Sequence, residues 1–300
     1  MLTAMLLFVL TFYLPMPSAC MICVPYPKVT IADLIAESDT VILAREAENA
    51  PYSFNVVEVL KGAVADAPFD AFVDSSSRRK LKLNATDAAV FVKKNSNTDW
   101  RFIAYADTHY QTFAKEIIQQ TVRWQKFNGN TKRINFFAEH LSDSDLNIQE
   151  QAYLEVGRAP YASIRRIAVS VPREQIRGFL NNMRLIEWHS LYILMLGHSS
   201  HPDDQAYIRK KLEAASGFRL TLNLSAWATA FIEAHPTTGI EEIERLYFSN
   251  ENRTQEELKE VLKGFSVLGS EGMLGKDSAL VKRQHRIVSS YAALIENHPW

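Results

Sequence analysis

Three kinds of hydrophobic pattern follow one another along the chain. The first is the apolar run AMLLFVLTFYL, residues Ala4 to Leu14, broken by Pro15 and Pro17 and followed by the small pair Ser18-Ala19. At 1.5 Å per residue such a segment spans about 16 Å, half of a hydrocarbon core of roughly 30 Å, so it reads as a secretory signal rather than a membrane span. Residues 1–19 are therefore expected to be a signal peptide.

The second pattern is a series of short apolar stretches. Thr40 to Ala44, Tyr52 to Leu60, Phe69 to Val73, Ala88 to Val92 and Trp100 to Tyr105 have strand length, and polar loops or the Lys61-Gly62 turn separate them. Thr30 and Asp33 form a capping box, with Val29 and Leu34 placed as a hydrophobic staple, so a short helix to about Ser38 precedes the strands. Five strands and a small helix predict an OB-like antiparallel barrel. From Asp107, an N-cap candidate, Tyr110, Phe113, Ile117, Thr121 and Trp124 recur at three and four residues, which predicts a helix leaving the barrel. It should end near Asn128-Gly129-Asn130, the expected boundary between a domain at 20–128 and a second at 129–300.

The third pattern is helical to the end of the chain. Gly157, Gly197, the pair His235-Pro236 and Gly269 each follow an apolar helical segment, at spacings of 40, 38 and 34 residues. The predicted units pair Ala152–Val156 with Ile164–Val169, Leu185–Leu196 with Ala206–Leu212, Leu222–Ile232 with Ile240–Phe248, and Leu258–Leu268 with Leu280–Ile295. Such units bury their apolar stripes only by stacking on neighbours, so the pattern predicts a HEAT-like solenoid, with an irregular helical bundle as the rival. The fold class expected overall is α+β in two domains, a small barrel followed by an all-α repeat.

Composition narrows the function. The 33 basic and 34 acidic residues leave no footprint for nucleic acid or for a polybasic membrane anchor. Of eleven glycines, only Gly62 falls between Cys20 and Asn128, which excludes a dinucleotide fingerprint or phosphate loop there. Cys20 and Cys23 are the only cysteines. In an exported chain they suit a local disulfide, and a cleavage after Ala19 also makes Cys20 a lipidation candidate. Membrane attachment is expected only in that second case. Val24 stands where haem attachment needs His, and no second Cys pair completes a zinc set, so no cofactor is expected.

The candidate chemistry is sparse. His198, His201 and Asp203, in the run HSSHPDD, could supply zinc ligands. The same run also reads as a helix connection, with Gly197 as C-cap, Pro202 starting the next helix and Asp203 and Asp204 favouring its dipole. Arg158, Tyr161, Arg165 and Arg166 lead an arginine cluster that continues to Arg173, Arg177 and Arg184, and Arg with Tyr suits a partner-binding surface. From Lys126 onward, 21 basic residues meet 21 acidic ones, so this cluster equally suits solvated helix surface. Hydrolase and deaminase signatures are absent from the sequence. Trp188, Trp227 and Trp300 read as core or capping residues.

The segments DTVILAREAENAPYSFNVVEVLKG, RFIAYADTHYQTFAKEII, FFAEHLSDSDLNIQEQAYLEVGRAPYASIRRIA and HSLYILMLGHS resemble a group of secreted bacterial proteins of uncharacterised function. Those proteins join a barrel similar to the netrin and metalloproteinase-inhibitor module to HEAT-like helices. The resemblance covers most of Cys20 to Leu196 and rests on packing motifs, so it implies architecture and export. Inhibitors with that barrel chelate a protease zinc through the amine and carbonyl of a terminal Cys. Here only Cys20 matches that role, the spacing to Cys23 differs, and the other cysteines are missing. The reading that follows is a non-enzymatic exported scaffold whose helical surface binds an envelope or extracellular protein. The alternatives are a metal-dependent hydrolase using His198 and His201, and a protease inhibitor acting through Cys20.

Overall fold

The computed structural model describes residues 22–23, 29–64, 67–126, 130–236, 238–270 and 278–291. The predicted signal peptide, Cys20, the 128–129 boundary and Trp300 lie outside them. The fold is mixed α+β, with a five-stranded antiparallel sheet and, among the described residues, thirteen α-helices.

The sheet is built from β1 (Thr40–Ala47), β2 (Ala50–Lys61), β3 (Phe69–Asp70), β4 (Ala88–Lys93) and β5 (Arg101–Ala106), in the spatial order β3-β2-β1-β4-β5. Helix α1 (Ile31–Glu37) precedes it, and the predicted capping box is present: Asp33 N–H donates to Thr30 Oγ1 while the Asp33 carboxylate accepts from Thr30 N–H. The runs Val41–Ala44 and Ala88–Val92 are apolar at every position because both faces of β1 and β4 are covered. Val41, Leu43, Val90 and Val92 enter a core shared with α1 and α3 (Thr108–Lys126), whereas Ile42, Ala44, Ala89 and Phe91 face the other way with Phe54 and Leu81. Antiparallel pairing sets Val41 opposite Val92 and Leu43 opposite Val90. On the second face the Phe69 ring of β3 and the Trp100 ring just before β5 have centroids 4.9 Å apart.

Several elements differ from the expectation. The stretch Phe69–Val73 pairs only over Phe69–Asp70. An additional helix, α2 (Ser75–Leu83), fills what reads as a polar loop; Asp74 caps it by accepting from Ser77 N–H at 2.9 Å, and Leu81 is its only buried residue. Helix α3 begins where Asp107 predicts, with Tyr110 N–H donating to Asp107 Oδ1 at 2.8 Å.

The helical half comprises α4 (Asn130–Glu139), α5 (Leu146–Gly157), α6 (Tyr161–Ala168), α7 (Arg173–Asn181), α8 (His189–Leu196), α9 (Pro202–Phe218), α10 (Leu224–Ala234), α11 (Gly239–Ile243), α12 (Gln255–Ser270) and α13 (Ser278–Ser290). The predicted helix from Leu185 starts only at His189, because Met183–Trp188 forms a 3-10 turn. Gly157 and Gly269 lie within α5 and α12 rather than after them. Each even-numbered helix from α4 to α12 packs on the next even one, and α10 is the centre of this row, touching α8, α9, α11 and α12. Every residue of α8 is buried, as is Leu224 to Ile232 of α10, which explains why both are largely apolar on all faces, with His189, Ser190, Ser225 and Thr229 as the buried polar exceptions. Two glycines permit this close stacking. A β-carbon at Gly197 would lie 2.8 Å from Ala230 Cα, and one at Gly264 would lie 2.8 Å from Thr229 Oγ1.

One hydrophobic cluster runs from Ile35, Val41 and Val90 through Phe113, Phe137 and Ile164 to Ile193, Phe231 and Phe265. Helices α3 and α4 contribute to it on either side of the expected boundary, with Phe113 against Phe137 and Trp124 against Phe136. No helix among the described residues is long and apolar enough to cross a membrane.

Candidate functional site

The arginine cluster does not form one surface. Arg158, at the C-terminal end of α5, reaches back to α1: Nη1 donates to Asp33 Oδ2 at 2.6 Å and Nη2 to Asp33 Oδ1 at 2.9 Å. Arg133 of α4 joins the same group, donating to Asp33 Oδ1 at 2.7 Å and to Glu155 Oε1 at 2.6 Å, and Thr30 Oγ1 donates to Glu155 Oε1. Glu155 is 3% exposed. Burial alone would raise the Asp33 carboxyl, but the Arg158 hydrogen bond, the Thr30 amide and the two guanidinium charges outweigh it and hold the group well below the usual carboxylate range. Arg158 is thus a clamp between the sheet half and the helices, with 21% of its side chain left exposed.

Tyr161, the second of these candidates, is fully buried. Its hydroxyl lies 3.3 Å from His198 Nε2, while His198 Nδ1 lies 3.6 Å from Glu233 Oε2 on α10, and Arg165 Nη2 lies 3.3 Å from that oxygen. A hydroxyl donating to Nε2 leaves Nδ1–H facing the carboxyl. Burial and then the Arg165 charge push His198 down to about 4, so the ring is neutral near pH 7. Burial pushes Glu233 up from the usual carboxylate range, against the lowering pull of Arg165. This hydroxyl, imidazole and carboxyl chain pins α6, the α8–α9 connection and α10 together.

The predicted zinc ligands do not converge. His201 caps α9, its Nδ1 accepting from Asp203 N–H at 3.2 Å, and the Asp203 side chain is 76% exposed. Fully buried Asp204 is the structural acid of this run. It accepts from Ser199 Oγ and from Arg173 Nε, each at 2.6 Å, which joins α7 to the start of α9. Among the described residues no group of three His, Cys, Asp or Glu side chains could hold a metal. His198 and His201 make the helix-junction contacts described above, and Asp203 stands exposed beside His201. Cys23 is buried at 4% exposure, with Tyr153 Oη donating to its carbonyl at 2.6 Å.

Arg166, one of the four arginine-cluster candidates, opens onto a concave surface. It lines a groove of about 630 Å³ between α4, α6 and the connection to α7. The apolar floor is Ile134, Ile167 and Val171, and the polar rim includes Thr131, Asn135, Glu139, Ser142, Ser170 and Gln175. Arg166 Nη2 donates to Ser163 Oγ at 3.0 Å, which orients the guanidinium along the groove. Exposed Arg166 and Glu139 place both signs of charge on the same rim. The hydroxyls here face amides and a guanidinium, with no imidazole among the lining residues to act as a base. Such a surface can hold an extended polar segment by its backbone and by one acidic side chain. The rim residues of α4 were not singled out from the sequence, although Thr131, Asn135, Ala138, Glu139 and Ser142 recur at helical spacing as a weakly polar stripe.

Compared with protein-family models, with curated proteins and with solved structures, the chain finds no match.

Proposed function

We propose that the chain is an exported, non-enzymatic interaction scaffold whose helical half receives an extended segment of an envelope or extracellular protein. The groove beside Arg166 is the observation that carries this reading: it is concave, of peptide dimensions, and combines an apolar floor with hydroxyl, amide and charged rim groups. In this reading the sheet half is an OB-like barrel, supported by its five antiparallel strands and by the contact of Phe69 on one edge strand with Trp100 just before the other. The helical half is a short HEAT-like solenoid, supported by the stacking of alternate helices α4, α6, α8, α10 and α12. The Ala4–Leu14 run and the Ser18-Ala19 site support export, as does the resemblance to secreted proteins.

The hydrolase alternative has less support, because His198 and His201 make different junction contacts. The inhibitor alternative depends on Cys20, outside the described residues.

Selection of a displayed peptide library on the purified full chain tests the scaffold reading. Enriched peptides are expected to share an acidic residue and to bind at least about tenfold more weakly to Arg166→Glu, as expected for losing one charge-assisted contact. Enriched peptides that bind Arg166→Glu as tightly as the native chain would overturn it.

A further inference from the structure

The connection between α9 and α10 carries an apolar display that neither the core nor the groove uses. Phe218 is 78% exposed, Leu220 51% and Leu222 59%, three large apolar side chains within five residues. Monomeric proteins rarely leave such groups together in water without a use for them. The backbone holds them there. Arg219 terminates α9 in the left-handed region at φ 54°, and Leu220 N–H closes the cap on Ala215 O at 2.9 Å. In caps of this kind the apolar residue after the turn normally folds back onto its helix, yet Leu220 stays half exposed.

The loop is also anchored at its far end. Asn223, again left-handed at φ 56°, accepts from Ser190 Oγ at 2.7 Å and donates through Nδ2 to Ile186 O at 3.4 Å. The 3-10 turn beside it adds Met183, 66% exposed, and exposed Arg184. Arg219, between Phe218 and Leu220 in sequence, also lines a polar cup of about 230 Å³ with Ser216, Asn250, Asn252 and Arg253. Arg253 is already neutralised, donating to Glu257 Oε1 at 2.8 Å and to Ser216 O at 2.6 Å. Arg219 makes no ion pair among the described residues, so it supplies the cup with its unbalanced positive charge.

We propose that this loop is a membrane-contact point, at which Phe218, Leu220 and Leu222 enter the outer acyl region of an anionic bilayer while Arg219 and the asparagine cup hold a lipid phosphate. Apolar prongs beside a cation match the two layers of a bilayer interface, acyl chain and charged headgroup. An acidic protein surface would also match Arg219, so vesicles without any partner protein are the discriminating probe. The contact is independent of any lipid on Cys20.

An environment-sensitive fluorophore at Thr221→Cys in the full chain reports on the loop itself, whatever else in the chain binds lipid; the unsubstituted chain controls for labelling at the native cysteines. Vesicles of phosphatidylcholine with one third phosphatidylglycerol are expected to shift its emission to the blue. A quencher attached to the acyl chains should then reach it. Phosphatidylcholine alone should give a much smaller shift, and Phe218→Ser with Leu222→Ser should abolish the shift on either vesicle. Arg219→Gln should lower the response to the anionic vesicles only. A label that stays in water on vesicles carrying the chain would overturn the proposal. So would equal shifts on the two vesicle types, or a shift reproduced by inorganic phosphate without lipid, which would make the cup a free-anion site.

Discussion

Arg158 grips Asp33 across 125 residues of sequence with two guanidinium nitrogens, at 2.6 and 2.9 Å. This pair, with Arg133 and Glu155, fastens α1 to α4 and α5. Arg158→Met removes one clamp and leaves Glu155, 3% exposed, with less compensation. A loss of about 3 kcal/mol in urea unfolding is expected, the low end for a buried pair because Arg158 and Asp33 each keep about a fifth of their surface in water. The surface pair Arg245–Glu242 is the control, and Arg245→Met should leave the midpoint unchanged.

Two acid windows should be separable. The Asp33 carboxyl is held below its ordinary value, so its contribution is complete above about pH 4 and is lost as pH falls further, when the folded-state group takes its proton. His198 acts earlier. Its folded value of about 4 lies below the ordinary 6.5, so the unfolded chain protonates first and stability falls from about pH 6.5 down to about 4. That slope is worth about 3 kcal/mol at most, and Glu233, whose value is raised, titrates with the opposite sign. His198→Gln should flatten unfolding free energy against pH across this window. An unchanged slope would remove His198 from the account.

Glycine substitutions should divide by what faces them. Gly264→Ala drives a methyl group onto Thr229 and the Ser225 carbonyl, and should cost about 1–3 kcal/mol by overpacking. Gly178→Ala in α7 meets nothing within 4 Å and should stabilise by up to about 1 kcal/mol through helix propensity. Thermal unfolding of the two variants checks the stacking of α12 on α10. Equal effects would contradict it.

The mature terminus is checked by intact mass. Export predicts a chain that begins at Cys20 and gains about two hydrogens on reduction if Cys20 and Cys23 pair. A chain retaining Ala4–Leu14 in the exported fraction would contradict the signal reading.

What the sequence made legible is local. The Thr30–Asp33 capping box, the Asp107 cap and the doubly covered runs of β1 and β4 declare themselves within a few residues. Helix α2 does not, because a single buried residue, Leu81, gives no stripe, and only its Asp74 cap marks it. The fate of Arg158 was hidden because its partner stands 125 residues away and already had a local role as the capping acid. His198 and His201 share one run of sequence, yet the chain turns between them to start α9, so one ring faces inward and the other outward. The groove needs α4 and α6 side by side, a juxtaposition no single helical stripe contains.

The central claim, a partner segment in the groove beside Arg166, is tested most directly by photo-crosslinking in cells from a benzophenone amino acid placed at Gln175. The account expects one dominant protein adduct, repeated from Ser170 on the same rim, absent from the exposed loop residue Lys94 and lost with Arg166→Glu. No adduct from Gln175, or the same adducts from Lys94, would contradict it.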